Sequence, residues 1–198
     1  MCSTQILRWR PGLVSRPAAH TTPPWGPIPL RVAPLLFFDV ESTGLHPDRG
    51  ARLTEWAVVD HSGLCVHETL APEADGYDAA LAERLSRLFG VLCDGIVVGH
   101  HLSFDLGFVA READRLGLAG PRLRYIDTLG LARRLLNQAA DFQLGTLLSH
   151  FDVSPEAELH TAPGDAWATQ ALFWALVEQG GLDTPSDAGV KALDWTSF

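Results

Sequence analysis

The chain has 198 residues, of which 46% are hydrophobic and 20% charged. This length fits one domain, and the composition excludes both a globally disordered chain and two full catalytic domains. The net charge of −9 is unusual for a protein that holds phosphates through a basic surface, so either the partner is not anionic or cations mediate the contact.

The N-terminal segment, residues 1–34, is rich in proline and free of acidic residues. It holds seven of the 13 prolines and four arginines. Because proline prevents continuous helix and removes strand donors, we predict a flexible extension here. The absence of acids is typical of a transit peptide, but the prolines argue against the amphipathic helix of such peptides. An arm that contacts nucleic acid or a partner is the other interpretation.

Cysteine use and hydropathy predict the compartment. Cys2, Cys65 and Cys93 lie far apart and form neither a CxxC pair nor a metal-ligand cluster, which favours a reducing environment. No apolar run approaches the roughly 18 residues of a membrane span, and the N-terminus lacks the apolar core of a signal peptide. We therefore expect a cytoplasmic protein without a membrane partner.

The first regular elements are three strands and a helix. "LLFFDV" (35–40) is predicted to be a fully buried strand, and "RLTEWAVVD" (52–60) and "LCVHETL" (64–70) are predicted to form a hairpin across a tight "DHSG" turn. Leucines at spacings of three and four predict an amphipathic helix over residues 78–93.

The rest of the chain alternates between strands and helices. The predicted elements are, in order, a strand (95–100), a helix (103–118), a strand (123–128) and helices at 129–136, 142–151 and 165–179. This order predicts one α/β domain with a mixed sheet over residues 35–180 and without internal repeats. Residues 181–198 are predicted to be a C-terminal tail.

Two acids, Asp39 and Glu41, end the first strand. Their side chains leave the same face because they lie two residues apart. A lone acid at a strand end is usually a turn former or a helix cap. Two desolvated carboxylates without a lysine or arginine in the stretch are energetically unfavourable, so this pair predicts a shared cation.

Three more candidate residues follow in the chain. Asp105 begins a helix after a buried strand, where α/β sheets commonly place ligand groups, although it is also a plausible helix N-cap. His160 and Asp165 surround a Pro-Gly turn before the last helix. Taken singly, Asp165 would be a cap and His160 a surface histidine.

The combination of these residues predicts metal-assisted hydrolysis. Carboxylate ligands without thiols favour Mg²⁺ or Mn²⁺ over Zn²⁺ or Cu²⁺. Two such ions about 4 Å apart activate water and stabilise the leaving oxygen in phosphodiester hydrolysis. A neutral histidine can take the proton from that water. Such ions would also let an acidic surface hold a phosphate.

Four stretches, "FDVESTG", "VVGHHLSFD", "YIDTLGLARRL" and "HTAPGDAWAT", resemble in order and spacing the motifs of the DEDDh 3′→5′ exonucleases. This group includes the proofreading epsilon subunit of bacterial DNA polymerase III. The resemblance runs from about residue 35 to about residue 179. It implies a ribonuclease H-like α/β fold with a central five-stranded mixed sheet flanked by helices. It also implies release of nucleoside 5′-monophosphates from a nucleic acid 3′ end with two Mg²⁺ or Mn²⁺ ions.

The resemblance implies a role for each motif residue. His160 would be the general base, and Asp39 would bridge both ions. The implied metal ligands are Asp39, Glu41, Asp105 and Asp165. Glu55 would approach the terminal 3′ hydroxyl, and Thr43, Gly44 and Leu45 would line the pocket for the terminal nucleotide. His100 and Phe104 are further candidates for substrate contact, with core packing as the alternative for Phe104.

Two departures from the family pattern bear on these roles. The second motif commonly reads His-Asn, and here it reads His100-His101. This change would alter a polar contact near the scissile strand, and the alternative is that His101 has no role there. Pro163-Gly164 replaces bulkier residues, which would loosen the loop that carries His160.

Several alternatives remain open at the level of sequence. The substrate is expected to be single-stranded DNA, with short RNA as the alternative. Association with a DNA polymerase and a free-standing enzyme are both compatible with the chain. A non-catalytic polymerase-associated module would not need all five catalytic candidates, and a general phosphodiester hydrolase would cleave small diesters as well.

Overall fold

The computed structural model describes residues 28–136, 139, 141–154, 158–193 and 195. Most of the predicted N-terminal extension, residues 1–27, lies outside these ranges. The helices are α1 (Tyr77–Leu92), α2 (Leu102–Arg115), α3 (Thr128–Leu135), α4 (Leu144–His150) and α5 (Ala162–Gly180), with short 3-10 turns at Leu30–Val32 and Pro47–Arg49. Within the described residues, no helix combines the length and apolar composition that crossing a membrane requires.

The strands form one mixed sheet. They are β1 (Leu35–Ser42), β2 (Leu53–Asp60), β3 (Gly63–Thr69), β4 (Ile96–Gly99), β5 (Leu123–Asp127) and β6 (Lys191–Leu193). Their order is β3-β2-β1-β4-β5-β6. The pairs β1–β4 and β4–β5 are parallel, and the remaining three neighbouring pairs are antiparallel. The predicted α/β class with a mixed sheet is confirmed, including the β2–β3 hairpin.

The predicted number of five strands was wrong, because the described part of the chain contains six. The sixth, β6, lies in the segment predicted to be a tail and pairs with β5 at the sheet edge. Its three residues, "KAL", are too few for a period-2 pattern, so only the tertiary contact with β5 defines the strand. The tail is further tied to the domain because Leu30 N–H donates to the Asp183 carbonyl at 2.7 Å.

Helices cover both faces of the sheet and create two hydrophobic layers. On one face, Phe37 of β1 packs edge-on against Phe173 of α5, with ring centroids 5.7 Å apart. On the other face, Phe38 belongs to the core shared with α1 and α2. β1 is therefore buried on both faces, which explains why its first four residues are continuously apolar.

The strand β1 begins with four apolar residues and carries two acids near its carboxyl end. Alternation places Asp39 and Glu41 on the face of Phe37, toward α5. The pairing of β1 with β2 is regular up to the Glu41–Glu55 pair and becomes irregular between Glu41 and Ser42. The strand thus holds both acids at fixed positions where the first turn of α5 approaches the sheet.

Candidate active site

Three acids converge at the carboxyl end of β1. One carboxylate oxygen from each of Asp39, Glu41 and Asp165 lies within 4.8 Å of the others. The first two acids come from β1, and Asp165 comes from the first turn of α5. The structure therefore brings together residues that are more than 120 positions apart in the sequence.

Asp105 approaches this cluster from the opposite face of the sheet. It lies in the first turn of α2, is only 3% exposed, and accepts a hydrogen bond from the Val40 backbone N–H in β1. His101 occupies the N-cap position of α2, so the alternative interpretation of Asp105 as the cap was wrong. Likewise, the side chain of Thr161 caps α5, and Asp165 is not the cap.

The pKa values of all four acids are raised, because the site disfavours their charged forms. Burial and the nearby carboxylates of Asp105, Asp165 and Glu41 raise the pKa of Asp39 well above its usual range. Burial is also the main cause of the raised pKa values of Glu41, Asp105 and Asp165. The ion pairs found among the described residues involve none of these four acids. Oxygen-only donors with unbalanced negative charge suit a hard divalent cation.

His160 lies beside the cluster on an exposed loop. Its backbone N–H donates to Asp165 Oδ1 at 3.2 Å, and its backbone is left-handed, with φ of 66°. Proximity to the His160 ring partly opposes the raised pKa values of Glu41 and Asp165, whose main cause is burial. The structure thus places all five predicted catalytic residues around one site.

The loop that carries His160 is tightly packed. Thr161 Oγ1 donates to the Glu158 carbonyl at 2.9 Å and accepts from Gly164 N–H at 3.1 Å. A Cβ atom added at Gly164 would lie 1.9 Å from the Glu158 carbonyl oxygen. The missing side chain at Gly164 permits this close approach, and the looser loop expected from Pro163-Gly164 stays a prediction.

Glu55 joins the loop to the sheet. Its Oε2 accepts from Ala162 N–H in the first turn of α5 at 2.8 Å, and its Oε1 lies 2.7 Å from His67 Nε2 on β3. Both carboxylate oxygens of Glu55 therefore have protein partners. The family resemblance implied that Glu55 lies near the 3′ hydroxyl, but the sequence contained no signal for this bridge or for His67.

The other predicted substrate residues lie around the cluster. Thr43, Gly44 and Leu45 follow β1, and Leu45 is 72% exposed. His100 is enclosed by protein, because its Nδ1 lies 2.9 Å from Thr128 Oγ1 and its Nε2 lies 2.8 Å from the Phe142 carbonyl oxygen. Burial lowers the pKa of His100.

His101 occupies a special backbone position at the start of α2. Its φ is 63°, in the left-handed region that asparagine and histidine tolerate better than most residues. Asp127 Oδ1 accepts its N–H at 3.0 Å and also caps α3 by accepting Leu129 N–H at 2.9 Å. The exposed ring of His101 stacks on Phe104 at a centroid distance of 6.1 Å. The sequence analysis did not single out Asp127. An aspartate just before the helix predicted at 129–136 is a local signal for a cap, whereas the contact of Asp127 with His101 depends on the tertiary structure.

Comparison with known proteins agrees with this geometry. The RNase_T model, described as an exonuclease, matches residues 68–173, just over half of the chain. This match includes Asp105, His160 and Asp165 and begins after β1. The DNA polymerase III PolC-type of Lacticaseibacillus paracasei is 32% identical over 172 residues, which cover 77% of this chain and 12% of that protein. The chain thus spans only a small part of this curated relative.

Solved structures share the fold. Exonuclease X in complex with 5′ overhanging duplex DNA aligns with a TM-score of 0.53 and 20% identity, covering 78% of this chain and 99% of that one. S. pombe Pop2p in its Mg²⁺- and Mn²⁺-bound form aligns with a TM-score of 0.56 and 12% identity, covering 75% and 84%. The predicted ribonuclease H-like architecture is confirmed, with six strands in place of five. The match to more than half of the chain shows that the chain belongs to the RNase_T family, whose model is described as an exonuclease.

Proposed function

We propose that the chain hydrolyses single-stranded DNA from its 3′ end and releases nucleoside 5′-monophosphates with two Mg²⁺ or Mn²⁺ ions. The observation that carries this proposal is the convergence of three carboxylate oxygens within 4.8 Å at the end of β1. Short RNA is the alternative substrate, since an RNase domain is also among the structures with this fold. The preference for DNA rests on the similarity to the PolC-type polymerase and to exonuclease X.

The proposed metal ligands are Asp39, Glu41, Asp105 and Asp165. The donor set fits hard cations, because it offers oxygen atoms only and its charge is unbalanced within the described residues. Pop2p, which shares the fold, is described in an Mg²⁺- and Mn²⁺-bound form. When bound, divalent ions supply Lewis acidity, which lowers the pKa of water and stabilises negative charge on phosphate oxygens.

The remaining groups position the substrate and move a proton. His160 takes the proton from the attacking water, and its loop is held against Asp165 by a backbone hydrogen bond. Thr43, Gly44 and Leu45 contact the terminal nucleotide from the β1–β2 loop. Glu55 approaches the terminal 3′ hydroxyl while bridging β3 and α5. Phe104 and the neighbouring His101 offer an aromatic surface on which an unpaired base can stack.

The proposed domain, predicted as residues 35–180 and extended in the structure by β6, is a unit that acts either alone or beside a polymerase. In the PolC-type relative, the similar region is 12% of a longer protein whose name identifies it as a DNA polymerase. The predicted extension, residues 1–34, brings arginines without acids, and we propose that it contacts nucleic acid or a partner. A cytoplasmic location follows from the reducing environment that the cysteines favour.

The polarity and the substrate are tested with 5′-labelled single-stranded DNA and RNA of the same sequence. Each oligonucleotide is supplied with a free 3′ hydroxyl or with a blocked 3′ end, in Mg²⁺, in Mn²⁺ or in EDTA. We expect stepwise shortening of the free-ended DNA in either metal and protection by the block and by EDTA. Faster cleavage of the RNA would reverse the assigned substrate, and internal cleavage of blocked DNA would contradict the exonuclease assignment.

A further inference from the structure

Four charged side chains form a network that includes Arg52, at the end of the β1–β2 loop. Arg52 Nε donates to Glu112 Oε1 at 2.7 Å, and Arg52 Nη2 donates to Asp78 Oδ1 at 3.0 Å. Arg115 donates to the other oxygen of each acid, at 2.7 Å to Glu112 Oε2 and 2.6 Å to Asp78 Oδ2. The two carboxylates and two guanidinium groups therefore form a closed ring of ion pairs, which we call the Arg52–Glu112 network.

The Arg52–Glu112 network joins three elements that are far apart in sequence. Arg52 directly precedes β2, Asp78 lies in the first turn of α1, and Glu112 and Arg115 lie on α2. Glu112 is only 3% exposed, although an isolated charge is costly to bury. Arg52 and Arg115 each donate to both carboxylates, so the network defines the position of Arg52 more narrowly than a single ion pair does.

The ring of Tyr77 also contacts Arg52. Its guanidinium carbon lies 4.6 Å from the centroid of the Tyr77 ring, within the range of cation–π attraction. The Tyr77 hydroxyl donates to the Leu53 carbonyl at 2.9 Å. Burial, with a contribution from Glu112, raises the pKa of Tyr77 to about 12, so its hydroxyl remains a donor at neutral pH.

The backbone of Arg52 holds the β1–β2 loop. Thr43 N–H donates to the Arg52 carbonyl at 2.9 Å, and Arg52 N–H donates to Thr43 Oγ1 at 2.9 Å. The same loop includes Gly44 and Leu45, which are proposed to contact the terminal nucleotide. The position of Arg52 therefore sets the position of the loop.

Helix α2 connects the Arg52–Glu112 network to the acid cluster. Glu112 lies seven residues after Asp105 on α2, so the two buried carboxylates share one face of the helix. α2 thus carries a proposed metal ligand in its first turn and the anchor of Arg52 two turns later. One rigid helix relates the acid cluster to the β1–β2 loop.

We propose that Glu112 is a positioning residue, which acts through Arg52 to hold Thr43, Gly44 and Leu45 at the distance from the acid cluster that a terminal nucleotide requires. This inference rests on the proposed function of the same site. The two buried acids of α2 then have different roles: Asp105 binds the cations, and Glu112 supports the binding of the nucleotide. Loss of the network displaces the loop and leaves the acids of β1, α2 and α5 in place.

The test is the steady-state kinetics of the Glu112→Gln variant of the full chain on 5′-labelled single-stranded DNA. Glutamine keeps the size of the side chain and removes its charge. We expect the KM to rise about tenfold, because binding energy from the loop is lost, while kcat changes less than about threefold. The Mg²⁺ concentration for half-maximal rate should stay the same.

A purely structural role gives a different pattern. Partial unfolding lowers the number of active molecules and hence the apparent kcat, but it leaves the KM unchanged, and that result would overturn the proposal. Asp114→Asn is the matched control, because Asp114 is an exposed acid on the same helix whose ion pair with Arg111 lies outside the network. Its KM should equal that of the original chain.

Two further measurements keep the test decisive. If Glu112→Gln does not fold, the same KM increase is required of Arg115→Lys, which keeps the charge and loses the forked contact. Amide hydrogen exchange reports on the loop without activity, and Thr43 and Arg52 should exchange faster in the variant while α5 stays unchanged. An inactive original chain would refute the proposed function, whereas unchanged exchange of these two amides would refute the positioning role.

Discussion

Replacing Asp39 by asparagine is expected to lower the Mg²⁺-dependent rate of DNA shortening by about 10³-fold or more, equivalent to about 4 kcal/mol of transition-state stabilisation. The substitution keeps the shape of the side chain and removes a charge from the centre of the acid cluster. The remaining acids would then hold divalent ions poorly. The rate is measured on a 5′-labelled oligonucleotide over a range of Mg²⁺ concentrations.

The same variant is expected to be more stable than the original chain in EDTA. The pKa of Asp39 is raised in the folded protein, through burial and through repulsion by Asp105, Asp165 and Glu41. An acid with a raised pKa destabilises the folded state once the pH exceeds its ordinary pKa, so removing it relieves repulsion at neutral pH. The thermal midpoint in EDTA should therefore rise, and the stabilisation that Mg²⁺ adds should shrink.

Asp94→Asn is the matched control for this prediction. Asp94 is exposed and precedes β4, at the end of the sheet opposite to the acid cluster. Its variant should keep both the rate and the response to Mg²⁺. An Asp39→Asn protein that degrades DNA as fast as the original chain would remove the acid cluster from the mechanism, even if its stability changed as expected.

Replacing His160 by glutamine is expected to lower kcat by about 10²- to 10⁴-fold, because the attacking water loses its proton acceptor. The backbone hydrogen bond from residue 160 to Asp165 does not require the ring, so the loop should keep its position. Binding of Mn²⁺ and the KM for DNA should therefore change little. Single-turnover kinetics and a Mn²⁺ titration of the same preparation measure these effects separately.

His61→Gln provides the comparison for the histidine prediction. His61 is exposed in the turn between β2 and β3, at the end of the sheet opposite to the acid cluster, and its variant should be fully active. Equal losses of Mn²⁺ binding and turnover in His160→Gln would mean that the ring supports the site structurally. Unchanged turnover would exclude His160 as the base.

Much of the architecture was predictable from local patterns. Continuous burial of β1, the hairpin turn after Asp60 and the leucine spacing of α1 are all visible in the sequence, because each depends on neighbouring residues. The convergence of Asp39 with Asp165 was expected only through the family resemblance. Periodicity alone cannot relate two residues at opposite ends of the domain.

The features that the sequence did not reveal are contacts between distant elements. β6 is a strand because it pairs with the edge strand β5. The backbone N–H of His101, at the N-cap position of α2, donates to Asp127 at the end of β5. The bridge from His67 through Glu55 to Ala162 and the Arg52–Glu112 network are of the same kind. These contacts join polar residues that are distant in the chain, so the spacing of residues in the sequence does not predict them.

The proposed mechanism depends on the acid cluster at the end of β1 holding the divalent ions of the reaction. The most direct test is an anomalous difference map from crystals of the chain grown with Mn²⁺ and a nucleoside 5′-monophosphate. We expect Mn²⁺ peaks within coordination distance of Asp39, Glu41 and Asp165, with the nucleotide beside Thr43 and Gly44. Mn²⁺ bound elsewhere, with these carboxylates free of metal, would contradict this mechanism.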